Sequence, residues 1–211
     1  MPLFKPAMVQ TPAQKERLKR ALSARAQVKE GYSRRVARRK SFEWGTHASF
    51  AEIDGAHNGA IRAAIEMLSL LHPERRINIL DWGCGSGDAA KGLAFNKRLN
   101  VFGFSIDASK EWMKPDGVTF LQTAPEVLPR FLKKKGIKLD LIYERASLKH
   151  TTGHAVPEII RLAHVLNLGG RVFVDPIYLE PRHTNSLERA GFSLEVQGNF
   201  LVSLTKVREP L

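Results

Sequence analysis

The feature that most constrains this chain is the stretch Ile77–Asp88, which reads INILDWGCGSGD. Ile77–Asp81 is a short apolar run closed by an acid, the pattern of a strand buried on both faces. Gly83, Gly85 and Gly87 follow in alternation. Glycines in that spacing allow a tight turn and let a ligand come close to the backbone. Gly87–Phe95 then reads as a helix, whose start offers N–H groups and a partial positive charge to an anion. A strand, a glycine loop and a helix in this order belong at the carboxyl edge of a parallel sheet, where open α/β sheets bind ligands. A ligand-free turn and a dinucleotide site are the competing readings. The dinucleotide fingerprint is G-x-G-x-x-G. Here the glycines run G-x-G-x-G, and Asp88 stands where the third would fall.

The chain beyond the loop alternates between strand and helix patterns. Strands are expected at Val101–Ile106, Val118–Gln122, Leu139–Tyr143 and Arg171–Asp175. Helices are expected at Gly55–Leu71, about Ser109–Met113, Pro125–Lys134, Val156–Leu166 and Thr184–Ala190. Phe192–Val196 and Phe200–Val207 read as two strands joined at Gln197-Gly198-Asn199. The sum is an α/β fold: a seven-stranded, mainly parallel sheet with an antiparallel C-terminal hairpin and helices on both faces. Ser41–Asp54 is aromatic and irregular, with Phe42, Trp44 and Phe50. Residues 1–54 are therefore expected to be a basic, largely helical extension, and 55–211 the main domain. Within the extension, Thr11-Pro12 is a good helix start, and helix formers continue to about Arg39.

Over residues 55–207 the sequence resembles the class I family of methyltransferases that use S-adenosylmethionine. Asp81-Trp82-Gly83-Cys84-Gly85-Ser86-Gly87 resembles the family's first motif, and Val101–Phe104 its second strand. Leu139–Ile142 resembles the fourth strand, Val165–Arg171 the turn into the fifth, and Ala190-Gly191-Phe192 the turn into the sixth. Lys206 near the end of the last strand is also typical. The resemblance implies S-adenosylmethionine as cofactor. Asp81, Gly83, Cys84, Gly85 and Gly87 would then hold or orient its methionine part, Ser105 or Asp107 the ribose, and Thr123 with Ala124 the adenine. Asp107 lies two residues beyond the usual acidic position, and Thr123 stands where many relatives carry Asp. The loop after the fourth strand, Tyr143–His150, would lie between cofactor and acceptor. It supplies Glu144 as a proton acceptor or ligand of the methionine amine, and His150 as a general base. The alternatives are a structural ion pair for Glu144 and a structural role for His150. The Asp/Asn-Pro-Pro-Tyr/Phe motif of one group of base amino-methylases is absent. Cys84 is the only cysteine and sits in the glycine loop, not where a cytosine-C5 nucleophile belongs. His150 and His154 are four residues apart but have no third ligand, so no metal is expected.

Charge bears on the acceptor. Residues 1–50 carry 12 Lys+Arg and three Glu, a balance of +9 out of +12 for the whole chain. A block of that kind can track a phosphate backbone. Little chain separates the fifth strand from the closing hairpin, too short for a lid over a small substrate. RNA is thus the preferred acceptor and partner. The alternatives are a small molecule or a protein, or a catalytically inactive methyltransferase fold serving as an RNA-binding or assembly subunit. There is no apolar run long enough to insert in a membrane and no secretory signal pattern, which points to the cytoplasm, with organelle targeting as the alternative.

Overall fold

The computed structural model describes residues 48–105, 117–144 and 155–210. The expected helices at 11–39 and Ser109–Met113 lie outside them. In chain order the elements are helices α1 (Phe50–Ala56) and α2 (Ala60–Leu71), strand β1 (Ile77–Trp82), α3 (Asp88–Ala94), β2 (Leu99–Ser105) and β3 (Val118–Gln122). Then come α4 (Leu128–Lys134), β4 (Leu139–Glu144), α5 (Ala155–Leu162), β5 (Leu166–Tyr178), α6 (Pro181–Arg189), β6 (Phe192–Gln197) and β7 (Phe200–Lys206). The seven strands form one sheet in the order β3-β2-β1-β4-β5-β7-β6. β1 to β5 pair in parallel, and β7 runs antiparallel to both β5 and β6. The chain winds outward from β1 to β3, then returns to place β4 on the other side of β1. That reversal opens a crevice at the carboxyl ends of β1 and its neighbours.

Alternate strand residues feed two separate cores, one on each face, because side chains switch face at every residue. Ile77, Ile79, Leu141, Tyr143 and Phe173 pack with Ile53, Ile61, Leu68 and Ala90 from α1, α2 and α3. Leu80, Trp82, Ile142, Val172 and Val174 pack with Leu132, Ile159 and Leu187 from α4, α5 and α6. Among the described residues, no helix is long and apolar enough to cross a membrane.

Several element boundaries differ from the sequence expectation, each for a local reason. The irregular stretch ending at Asp54 and the single helix Gly55–Leu71 are replaced by two helices. Ser49 and Glu52 form a capping box that starts α1: Ser49 Oγ accepts from Glu52 N at 3.3 Å, and Glu52 Oε2 accepts from Ser49 N at 2.7 Å. Asn58 and Gly59, both at positive φ, break the chain before α2. α4 begins at Leu128 and not at Pro125, because a turn directs Val127 N and Leu128 N onto Ala124 O. α6 begins early, at Pro181, where a ring-locked φ suits the first helical position. β5 begins at Leu166, expected as the end of a helix, and runs past Asp175 to Tyr178. Leu166 pairs with Leu139, and the fully buried Lys206 donates from Nζ to its carbonyl at 2.9 Å. Pro176 is accommodated in β5 because the β5–β7 register shifts between Phe173 and Ile177, where no ladder N–H is required.

The amino-terminal end of the central strands is fixed by Asp140 on β4. Its carboxylate accepts from Arg75 Nη1 and Nη2, both at 2.8 Å, from Asn78 N at 2.8 Å and from Asn167 Nδ2 at 2.7 Å. Burial pushes the Asp140 pKa up, but these donors outweigh it and the net shift is downward. Replacing Asp140 with Ala leaves the Asn78 N–H without this acceptor and Arg75 without its partner. The expected loss is about 3 kcal/mol of unfolding free energy in a urea titration, with Asp140→Asn losing less. A loss near zero for both variants would show that the cluster is not holding the strands.

Candidate cofactor site at the switch point

Those sequence-derived residues that the structure describes lie along one edge. Asp81 occupies β1 one residue from its end, beside Gly103 of β2 and Tyr143 of β4. Ser105 ends β2 opposite Gln122, the last residue of β3, so Thr123 and Ala124 follow directly beyond it. Glu144 ends β4 opposite Trp82. Four adjacent strands thus present Thr123, Ser105, the glycine loop and Glu144 along about 15 Å of sheet edge, given strand spacings near 4.8 Å. Asp107 and His150 lie outside the described residues.

The glycine loop has the backbone its sequence requires. Gly83, Gly85 and Gly87 have φ of 80°, 53° and 84°, a region that side chains with a Cβ rarely adopt. Gly83 N and Cys84 N both donate to Phe104 O, at 2.7 and 2.9 Å, which ties the loop to β2. Gly87 N donates to Cys84 O at 2.7 Å and closes the turn before α3. A Cβ on Gly87 would stand 2.5 Å from the Phe120 ring, and one on Gly103 would stand 2.7 Å from it. Glycine at these two positions makes room for the aromatic ring that supports the loop from below. Ser86 Oγ donates to Asp88 Oδ2 at 2.8 Å, so the first turn of α3 already has a carboxylate of its own. Cys84 is buried, and burial raises its thiol pKa far out of the reactive range.

Asp81 is the unusual group. It is 3% exposed, and its Oδ2 has no hydrogen-bond partner among the described residues. Burial pushes its pKa up to about 7, against the opposing pull of the Tyr143 hydroxyl and the Ala90 backbone N–H. The Tyr143 hydroxyl lies beside the carboxyl, yet Tyr143 Oη also lacks a well-formed hydrogen bond among the described residues. A buried carboxylate oxygen left open in this way is where a cationic ligand group gains most. Glu144 is differently placed. It is 1% exposed, and its Oε1 accepts from Asp175 N at 2.8 Å, which braces β4 against β5. The structural ion pair that the sequence offers Glu144 is with Arg145 or a nearby Lys, and Arg145 lies outside the described residues.

Sequence reasoning overlooked His57. It caps α1 at its carboxyl end, and its ring meets Phe173 edge-on at 5.8 Å. Burial lowers its pKa, while Asp175, Asp54 and the Glu144 backbone pull the other way. Its Nε2 has no partner among the described residues. The Ser49-x-x-Glu52 spacing was the available signal, since it announces the helix that delivers His57 to the ends of β4 and β5. No group of three or more His, Cys, Asp or Glu able to hold a metal ion occurs among the described residues.

No protein-family model matches the sequence, and no curated protein matches it. Solved structures do match the fold. The 1,6-didemethyltoxoflavin-N1-methyltransferase of Burkholderia thailandensis, solved with 1,6-didemethyltoxoflavin and S-adenosylhomocysteine, aligns with a TM-score of 0.52 and 18% identity. That alignment covers 97% of this chain and 94% of the other. The chain has the class I methyltransferase fold. The magnesium protoporphyrin IX methyltransferase of Synechocystis PCC 6803, solved with bound SAH, aligns with a TM-score of 0.51 and 17% identity. It covers 75% of this chain and 88% of its own. Identities this low establish the architecture and leave cofactor and acceptor to be argued from this chain's own residues.

Asp81 gives the site a pH signature. An unfolded Asp ionises near 3.8, whereas folded Asp81 ionises at about 7. Between those values the folded chain holds a proton that the unfolded chain has lost. Stability therefore falls as pH rises across that interval, and the contribution is gone above it. The melting temperature of Asp81→Asn relative to the parent is expected to rise between about pH 5 and about pH 8. His57 contributes equally to both proteins, so its own acid-side effect cancels. A pH-independent difference would contradict the burial of an open carboxyl at this position.

Proposed function

We propose that this chain transfers a methyl group from S-adenosylmethionine to an acceptor, and that the acceptor is RNA. The observation that carries the cofactor half is the open Oδ2 of buried Asp81 beneath a loop of three positive-φ glycines at the switch point of the sheet. The residues present fit the cofactor. Asp81 suits its ammonium group, directly or through water, and the Gly83–Gly87 loop suits close passage of its methionine part. Ser105, Thr123 and Ala124 stand along the edge where the nucleoside end would lie, joined in this reading by Asp107. When bound, the cofactor supplies a methyl group already activated by a sulfonium.

The protein's remaining task is then to hold an acceptor atom in line and keep water out, so positioning carries most of the rate. Glu144 is well placed to fix the β4–β5 floor through Asp175, and His150 is our candidate for taking the acceptor's proton. The RNA half rests on charge: the +9 balance within residues 1–50 suits a polyanion and gives no advantage with a neutral small molecule. An intracellular, cytoplasmic setting accords with this reading.

Incubating the full chain with methyl-tritiated cofactor and with cellular RNA, protein and small-molecule fractions tests both halves. Label is expected in RNA. Changing Arg34, Arg35, Arg38 and Arg39 together to Gln is expected to weaken RNA binding and flatten its salt dependence, by up to about three units in the log–log slope. Label confined to another fraction would overturn the RNA half. No transfer to any fraction, with RNA still bound, would favour a non-catalytic RNA-binding subunit. Gly87→Ala places a Cβ at positive φ against Phe120, and is expected to abolish cofactor binding in calorimetry while the parent binds.

A further inference from the structure

A second concave surface lies on the same sheet edge, away from the glycine loop. The carboxyl end of β5, the start of β7 and the first turns of α5 and α6 enclose an open cavity of about 670 Å³. Its floor is apolar, with Val156 and Ile160, and its walls include Tyr178, Phe200, Arg182 and His183. Tyr178 and Phe200 face each other across the β5–β7 ladder, with ring centroids 6.0 Å apart and ring planes at 74°. Both are unusually exposed for large aromatic side chains, at 58% and 46%. Arg182 holds Glu180 through Nε at 2.7 Å while its side chain stays 75% exposed. Glu180 N donates to His183 Nδ1 at 3.4 Å, which orients that ring on the first turn of α6.

The position of this groove follows from the strand pairing. Asp175 N meets the Glu144 carboxylate, and Tyr178 lies three residues farther along β5, about 10 Å on. An acceptor strand lying over the Glu144 end of the edge would therefore meet the groove next. Exposed aromatic rings beside a guanidinium are the parts with which proteins hold unpaired bases: the rings stack on the base, and the cation meets the backbone. A cavity of this volume is large enough for one nucleotide, and its openness leaves room for the chain to enter and leave.

We propose that this groove holds a flanking base of single-stranded RNA acceptor, with the Tyr178 ring, braced edge-on by Phe200, as the stacking face and Arg182 as the phosphate contact. The inference rests on the RNA reading given under Proposed function. It adds a second point of attachment that fixes where the target nucleotide lies relative to the cofactor site.

The test is fluorescence anisotropy of a labelled oligoadenylate against the full chain at a series of salt concentrations. Tyr178→Ala is expected to weaken binding about tenfold or more, and Tyr178→Phe to bind like the parent because it keeps the ring. Arg182→Ala is expected to weaken binding and lower the salt slope by about one unit. Melting curves for each variant confirm that the fold survives loss of an exposed side chain. If the parent binds the oligonucleotide and Tyr178→Ala and Arg182→Ala bind it equally well, the groove assignment is overturned while the RNA reading stands. If the parent does not bind single-stranded RNA at all, the RNA reading itself falls, and the groove assignment falls with it.

Discussion

Four donors converge on one carboxylate at the base of β4, and the rest of the molecule is arranged around that point. Arg75 brings in the α2–β1 connection, Asn78 brings in β1, and Asn167 brings in the start of β5. The β1–β4 register then runs unbroken to the opposite end, whereas the β4–β5 register shifts between Leu139 and Leu141. Asp81, Gly103 and Tyr143 then stand side by side, and Trp82 stands beside Glu144. Asp140 and Asp81 make an instructive pair. Both are buried carboxylates on neighbouring central strands. The one at the closed end has a full set of donors and a lowered pKa. The one at the open end keeps an oxygen without a partner among the described residues and a pKa raised to about 7. The first stabilises the fold. The second costs stability, and a fold keeps such a group where a ligand compensates it.

Most of this architecture was legible in the sequence. Apolar runs of strand length separated by helical patterns gave all seven strands, and the G-x-G-x-G spacing after Asp81 located the loop. What was not legible depended on partners distant in sequence. Leu166 reads as the end of a helix until Lys206 and Leu139 are placed beside it in space. The strand expected to end at Asp175 continues through Pro176 because the shifted β5–β7 register requires no N–H there. The orphan Oδ2 of Asp81 has no sequence signal at all, because it is defined by what fails to reach it. His57 was missed for a different reason: its helix is announced by a capping box that lies within a stretch dominated by aromatic residues.

The site combines a rigid part with a softer one. The glycine loop is tied to β2 by two backbone hydrogen bonds to Phe104 O and supported by Phe120. At the ends of β4 and β5, the His57 ring lies near the Asp54 and Asp175 carboxylates and the Glu144 backbone, and Asp175 N donates to the Glu144 carboxylate.

Asp81 is proposed to serve a cationic ligand group. Calorimetric titration with S-adenosylhomocysteine, in buffers of different ionisation enthalpy, tests it most directly. A cation beside Asp81 favours the ionised carboxyl, so binding at about pH 6 is expected to release a proton, and affinity is expected to rise toward a plateau above about pH 7. Asp81→Asn is expected to lose both the affinity and the proton release. Binding without proton release, equally strong in Asp81→Asn, would contradict the account, as would the absence of binding at millimolar ligand.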